Sequence, residues 1–124
     1  MRSKRIWIPA LAAAVALFTA GLAIQGGEGD KTTVQGEIVD MACYVAKGAK
    51  GPEHAACAKA CVKGGQPMGL LAKDGTVYLL YASHENGDAF EQAKELAGTH
   101  VELTGLTATK AEIKGFEVHS VKAL

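Results

Sequence analysis

The sequence predicts a small, mainly β protein. Five strands form an OB-like barrel, one cysteine-bearing helix is inserted between strands one and two, and a second helix lies between strands three and four. Three observations carry this. Val101, Leu103 and Gly105 alternate with Glu102 and Thr104, the period-2 pattern of a half-buried strand. Two short apolar runs, Met68 to Ala72 and Thr76 to Ala82, are joined by Lys73-Asp74-Gly75, whose Asp-Gly pair is a strong hairpin turn. Two alanine-containing segments, each followed by glycine, interrupt the strand pattern where helices are expected.

Taken in order, Thr32 to Met41 is the first strand, with Val34, Ile38 and Val39 as its apolar positions and Gly36 marking a bend or bulge. Residues 45 to 51 read as a glycine-containing loop. Glu53 to Lys63 is a helix with Pro52 in its first turn and Gly64-Gly65 at its end. The hairpin follows. Asp88 to Ala97 is the second helix, with Ala89, Phe90, Ala93, Leu96 and Ala97 on one face and Gly98 closing it. His100 to Ala108 and Phe116 to Val121 are the last two strands. This order is that of an OB-fold, a small, partly open Greek-key barrel. An α+β sandwich of the same elements is the competing arrangement.

The N-terminus shapes the functional reading. Arg2, Lys4 and Arg5 precede Ile6 to Ile24, a run of 19 residues without charge. Gly21-Leu22-Ala23 then leads into a polar stretch. A basic start, an apolar middle and a small-residue end describe a secretory signal peptide over residues 1–23. An uncleaved membrane anchor is the alternative, because about 20 apolar residues span a bilayer. Both place the rest of the chain, a 24–31 linker and a 32–124 domain, outside the cytoplasm, in the periplasm or an equivalent compartment. Association with a membrane is expected only through an uncleaved N-terminal segment.

Without Arg2, Lys4 and Arg5, the chain's 13 basic residues become 10 against 13 acidic ones, a net of −3. No arginine remains beyond residue 5. Arginine is the main reader of phosphates and guanine edges, so nucleic acid is excluded as a partner. The sequence contains no nucleophile elbow, phosphate loop or close carboxylate pair, and no catalytic residue is assigned.

All three cysteines, Cys43, Cys57 and Cys61, fall in the 32–124 domain. In an oxidising compartment disulfides are expected, and an odd count leaves one thiol over. On a helix of about 100° per residue, His54, Cys57 and Cys61 share an arc of about 60°. His54 and Cys61 are nevertheless about 10 Å apart along the axis, so one ion reaches both only if the first turn departs from α geometry. Three cysteines and a histidine are a standard tetrahedral zinc set, and three thiolates also suit Cu(I). Met41 and Met68 are accessory thioether donors in the copper case. Lys47, Lys50, Lys59 and Lys63 against Glu53 alone form a local basic collar, expected to lower thiol pKa and favour the metal-binding thiolate.

Other readings of the cluster stay open. Cys43 with Cys57 or Cys61 makes a plausible disulfide, whereas Cys57–Cys61 strains a helix. A reactive thiol at Cys57 or Cys61 would make the chain a thiol-redox protein, although its spacing is not C-x-x-C. His84 is expected in a solvated loop, and His100 and His119 at outward strand positions. Tyr78 and Tyr81 fall on opposite faces of one strand, so at least one packs inside.

The combination Gly36-Glu37-Ile38-Val39-Asp40, Cys43-Tyr44, His54-x-x-Cys57-Ala58-x-x-Cys61, Gly65-x-Pro67-x-Gly69, Asp74-Gly75 and Tyr78 resembles small, mostly uncharacterised exported bacterial proteins with an OB-like barrel. The resemblance covers nearly the whole 32–124 region. It implies a fold and an exported location rather than a reaction. The functional expectations are therefore a non-enzymatic metal-binding domain, a thiol-redox protein, or an interaction module stapled by a disulfide. Partners follow accordingly: a metal ion, with another exported or membrane protein to exchange it.

Overall fold

The computed structural model describes residues 29–124. The expected signal segment and most of the linker lie outside them. Among the described residues, no helix is long and apolar enough to cross a membrane.

Five strands form a closed barrel: β1 (Asp30–Asp40), β2 (Met68–Ala72), β3 (Val77–Ala82), β4 (His100–Lys110) and β5 (Ile113–Ala123). Around the barrel the order is β1-β2-β3-β5-β4, with β4 returning to β1. All pairs are antiparallel except β3–β5, which is parallel. This is the OB arrangement the element order predicts, fully closed rather than partly open.

β1 begins at Asp30, two residues before the expected start, because Asp30 and Lys31 already pair with Thr107 and Leu106. It then serves two neighbours in succession. Asp30 to Glu37 pair with β4 and Gly36 to Asp40 with β2, so only Gly36 and Glu37 are paired on both sides. Gly36 is not a bulge. The register slips instead between Thr104 and Gly105. Gly36 is required because a Cβ there would collide with the Leu71 backbone.

The core is built from the inward positions of every strand. Ile38, Leu70, Val101, Leu103, Phe116 and Val118 are fully buried. Each such side chain contributes about 1.5–3 kcal/mol of apolar burial. Tyr78 meets Phe116 edge-on at 5.9 Å between centroids, while Tyr81 faces outward. His84, His100 and His119 are exposed, as expected.

The connection between β1 and β2 departs from the sequence expectation. The strand does not continue through Met41, and residues 45–47 are not a loop. A two-turn helix, α1 (Met41–Lys47), starts at once, followed by a 3-10 turn (Pro52–His54) and α2 (Ala55–Lys63). Asp40 is the cause. Its Oδ1 accepts from the Ala42 amide at 3.0 Å and caps α1. Gly48, at φ 67°, closes the helix in the left-handed region. α2 turns Ala58 and Val62 into the interior. α3 (Asp88–Glu95) contributes the buried Ala89 and Ala93.

β4 and β5 extend beyond their expected limits to meet in a two-residue turn at Ala111 and Glu112, with φ of 48° and 67°. Right-handed strand twist requires positive φ at both positions, and neither residue is a usual choice there. Ala111→Asn with Glu112→Gly, the preferred pair for this turn, is expected to raise unfolding free energy by about 1–2 kcal/mol. Urea denaturation at constant slope checks this.

Candidate metal centre

The insertion between β1 and β2 gathers the predicted donors. Cys43 projects from α1. His54 ends the 3-10 turn and flanks α2, and Cys57 and Cys61 lie one helical turn apart on α2. His54 presents a ring nitrogen within 4.8 Å of the sulfurs of both Cys43 and Cys57. The Cys57 and Cys61 sulfurs are 4.0 Å apart. Cys43 lies within 4.8 Å of Cys61 as well, so the three sulfurs form a closed triangle. In a tetrahedral site with bonds near 2.3 Å, sulfurs stand about 3.8 Å apart, so little movement brings them onto one ion.

The 3-10 turn places His54 beside this triangle. It belongs to the edge formed by Cys43 and Cys57, at the opposite end of α2 from Cys61. Its Nε2 is buried and has no hydrogen-bond partner. A buried imidazole nitrogen left unpaired costs about 1–3 kcal/mol, which metal coordination removes. All three cysteines are free thiols.

A fifth donor was not among the sequence-derived ligands. Asp40 brings a carboxylate oxygen within 4.8 Å of the Cys43 and Cys61 sulfurs. It is 1% exposed, and while Oδ1 caps α1, Oδ2 is buried without a hydrogen-bond partner. The sequence held one signal for it: Asp40 and Cys43 are an i, i+3 pair once Asp40 is seen as a helix cap. Of the accessory donors, Met68 is 1% exposed within the barrel core. Met41 lays its thioether over Gly69.

Neighbouring structure holds this arrangement. Glu37, buried at the end of β1, accepts from the Gly51 amide at 2.6 Å and fixes the loop that leads to His54. Met41 N donates to Pro67 O at 2.9 Å, tying the start of the insertion to its end. Gly98, at φ 81°, packs against Ala55 with no room for a side chain, seating the first turn of α2.

The electrostatics differ from the expected basic collar. Lys59 and Lys63 are drawn to Glu95, at 3.4 Å and 2.7 Å, instead of to the thiols. Cys43 is pushed above the ordinary thiol range, first by the Asp40 carboxylate and then by burial; Lys47 opposes this only weakly. Cys61 is pushed up to about 11, chiefly by the adjoining Cys57 thiol, with burial and the charges of Cys57, Asp40 and Cys43 adding. Burial works to raise the Asp40 pKa, but the Cys43 thiol and the Ala42 and Cys43 amides outweigh it and hold the carboxyl below its usual value. The site is thus a concentration of potential negative charge that a cation would relieve.

These shifts fix the sign of a pH effect. Raised thiol pKa values mean that metal uptake must expel protons, so apparent affinity rises with pH. Between pH 7 and 8, below the raised values of Cys43 and Cys61, these two thiols are expected to make the apparent zinc association constant climb by about two decades per pH unit. Competition titration against a chelator of known pH dependence measures the slope. Glu37→Ala, which frees the Gly51 amide, is expected to weaken zinc binding by about tenfold, the scale of losing an outer-shell partner. The same titration reads it.

Comparison with known proteins finds no matching family model, no matching curated protein and no matching solved structure. A functional reading therefore stands on the chemistry of these side chains.

Proposed function

We propose that the chain is an exported, non-enzymatic metal-binding domain. Cys43, His54, Cys57 and Cys61 hold one zinc or copper(I) ion. The observation that carries this reading is the buried, unpartnered Nε2 of His54, on a ring that reaches within 4.8 Å of two of three converging sulfurs. An ordinary solvated helix face has no reason to bury such a nitrogen. The basic and apolar N-terminus supports export, and a bound metal would keep the three cysteines, none of them in a disulfide, reduced in an oxidising compartment.

Cys57 is exposed while Cys43 and Cys61 are half-buried. One corner of the site thus faces solvent, which supports metal handling with exchange to another exported or membrane protein over a sealed structural site. A nucleophilic thiol is less well supported. Redox thiols are poised by a lowered pKa, and the shifts at Cys43 and Cys61 run upward.

The protein purified from its native compartment is expected to carry about one metal ion per chain and three reduced thiols, measured together by elemental analysis and thiol titration. Absence of metal with one disulfide and one free thiol would overturn the reading. Cys43→Ser removes the sulfur common to both donor groups. It is expected to weaken binding by more than about a hundredfold, beyond the tenfold to hundredfold cost of losing an outer-shell partner. Sequencing the N-terminus of the same preparation tests export: a mature end near Ile24 is expected from a cleaved signal.

A further inference from the structure

Asp40 stands apart from the four donors used above. It is a carboxylate at 1% exposure, in a cluster of thiols, with one oxygen engaged and the other not. Capping α1 requires only Oδ1, a task that asparagine or serine performs as well. Burying an ionised carboxylate is costly unless it is paired or coordinates a metal. No lysine or arginine pairs with it, as none of the ion pairs among the described residues includes Asp40. Apart from the Cys43 and Cys61 thiols beside the carboxylate, nothing donates to Oδ2, and those thiols cease to donate once they lose their protons to bind a metal.

The geometry supplies another partner. Cys43 belongs to two donor groups, one with His54 and Cys57 and the other with Asp40 and Cys61. The sulfur triangle is thus flanked on one edge by a nitrogen and on another by an oxygen. We propose that Asp40 is a metal ligand, and that it selects divalent thiophilic ions such as zinc over copper(I). This rests on the metal-binding reading above and sharpens it.

The chemistry distinguishes the two ions. Copper(I) is soft and is satisfied by thiolates; a carboxylate oxygen is a hard donor with little affinity for it. Zinc is borderline and takes Cys, His and Asp or Glu together. Charge points the same way. Three thiolates and a carboxylate with a divalent ion carry −2, the same as the common four-cysteine zinc site. With a monovalent ion the same donors carry −3, in a place where Lys59 and Lys63 are already engaged by Glu95.

Asp40→Asn is the discriminating variant, because asparagine preserves both the cap and the side-chain volume and removes the charge. Wild type and variant are titrated with zinc, cobalt(II) and copper(I) against competing chelators, with circular dichroism as the check that the fold is retained. The expected result is a loss of zinc affinity of at least about tenfold, with copper(I) affinity within a factor of about three. The cobalt(II) visible bands should also shift, reporting a changed ligand set. Equal zinc affinity with an unchanged cobalt(II) spectrum would overturn the role of Asp40 and leave the metal site standing. Parallel losses for zinc and copper(I) would overturn the selectivity. Failure of the wild-type protein to bind any of the three ions would instead sink the underlying metal reading. Should the variant misfold, Asp40→Ser, which keeps a capping oxygen, is titrated in its place with the same outcomes.

Discussion

Everything in this domain depends on β1 being shared between two neighbours. Its first part pairs with β4 and its last part with β2, overlapping at only two residues. That handover closes the barrel, and it also fixes where β1 must stop. At Asp40 the strand has reached the barrel's end, and the chain must cover residues 41–67 before returning as β2 directly beside it. Ile38 is locked there by Thr99 O at 3.1 Å and by the Gly98 amide at 2.7 Å, so the departure point of the insertion is rigid. A rigid exit beside a rigid return gives a long connection a fixed base on which donors from several segments converge.

The converged donors contradict what packing alone prefers. Good folding sequences satisfy buried polar groups and avoid like charges, and violations concentrate where function demands them. Among the described residues, the buried side-chain atoms without a hydrogen-bond partner are Asp40 Oδ2 and His54 Nε2, both in this one cluster. Cys43 and Cys61 resist ionisation because the Asp40 carboxylate adjoins the first and the Cys57 thiol the second. On the metal-binding reading, a cation at the shared Cys43 sulfur would relieve these penalties together, turning mutual repulsion into shared attraction.

How much of this was legible in the sequence follows from the range of each interaction. The barrel order, the Asp74-Gly75 hairpin and the face of α3 come from periodicity and turn chemistry, which are local. α1 was missed for a physical reason. Seven residues make too short a run for a 3.6-residue pattern to emerge, and α1 buries no side chain that would have imposed one. Its only marks are its ends, Asp40 and Gly48. Missing the helix also meant missing Asp40, since the side chain becomes a neighbour of Cys43 only when α1 begins at Met41. The alliance of His54 with the sulfurs was visible as a shared face, but its reach depends on the 3-10 turn. The lysines were misread because Glu95, far along the chain, claims two of them, and no local pattern announces a partner at that separation.

The weak anchoring of α1 finally links metal and fold. The helix is held by its cap, by Met41 against Gly69 and by the Met41 to Pro67 hydrogen bond, with Val45 74% exposed. α2, by contrast, buries Ala58 and Val62. An ion bound by Cys43 on one side and Cys57 and Cys61 on the other joins the loosely held helix to the firmly held one. A segment with few buried apolar contacts opens at low free-energy cost, so on the metal-binding reading a local opening of α1 would carry Cys43 away from the ion. The same thin packing that hides α1 from the sequence thus sets it apart from α2 and the barrel, which carry the buried apolar contacts.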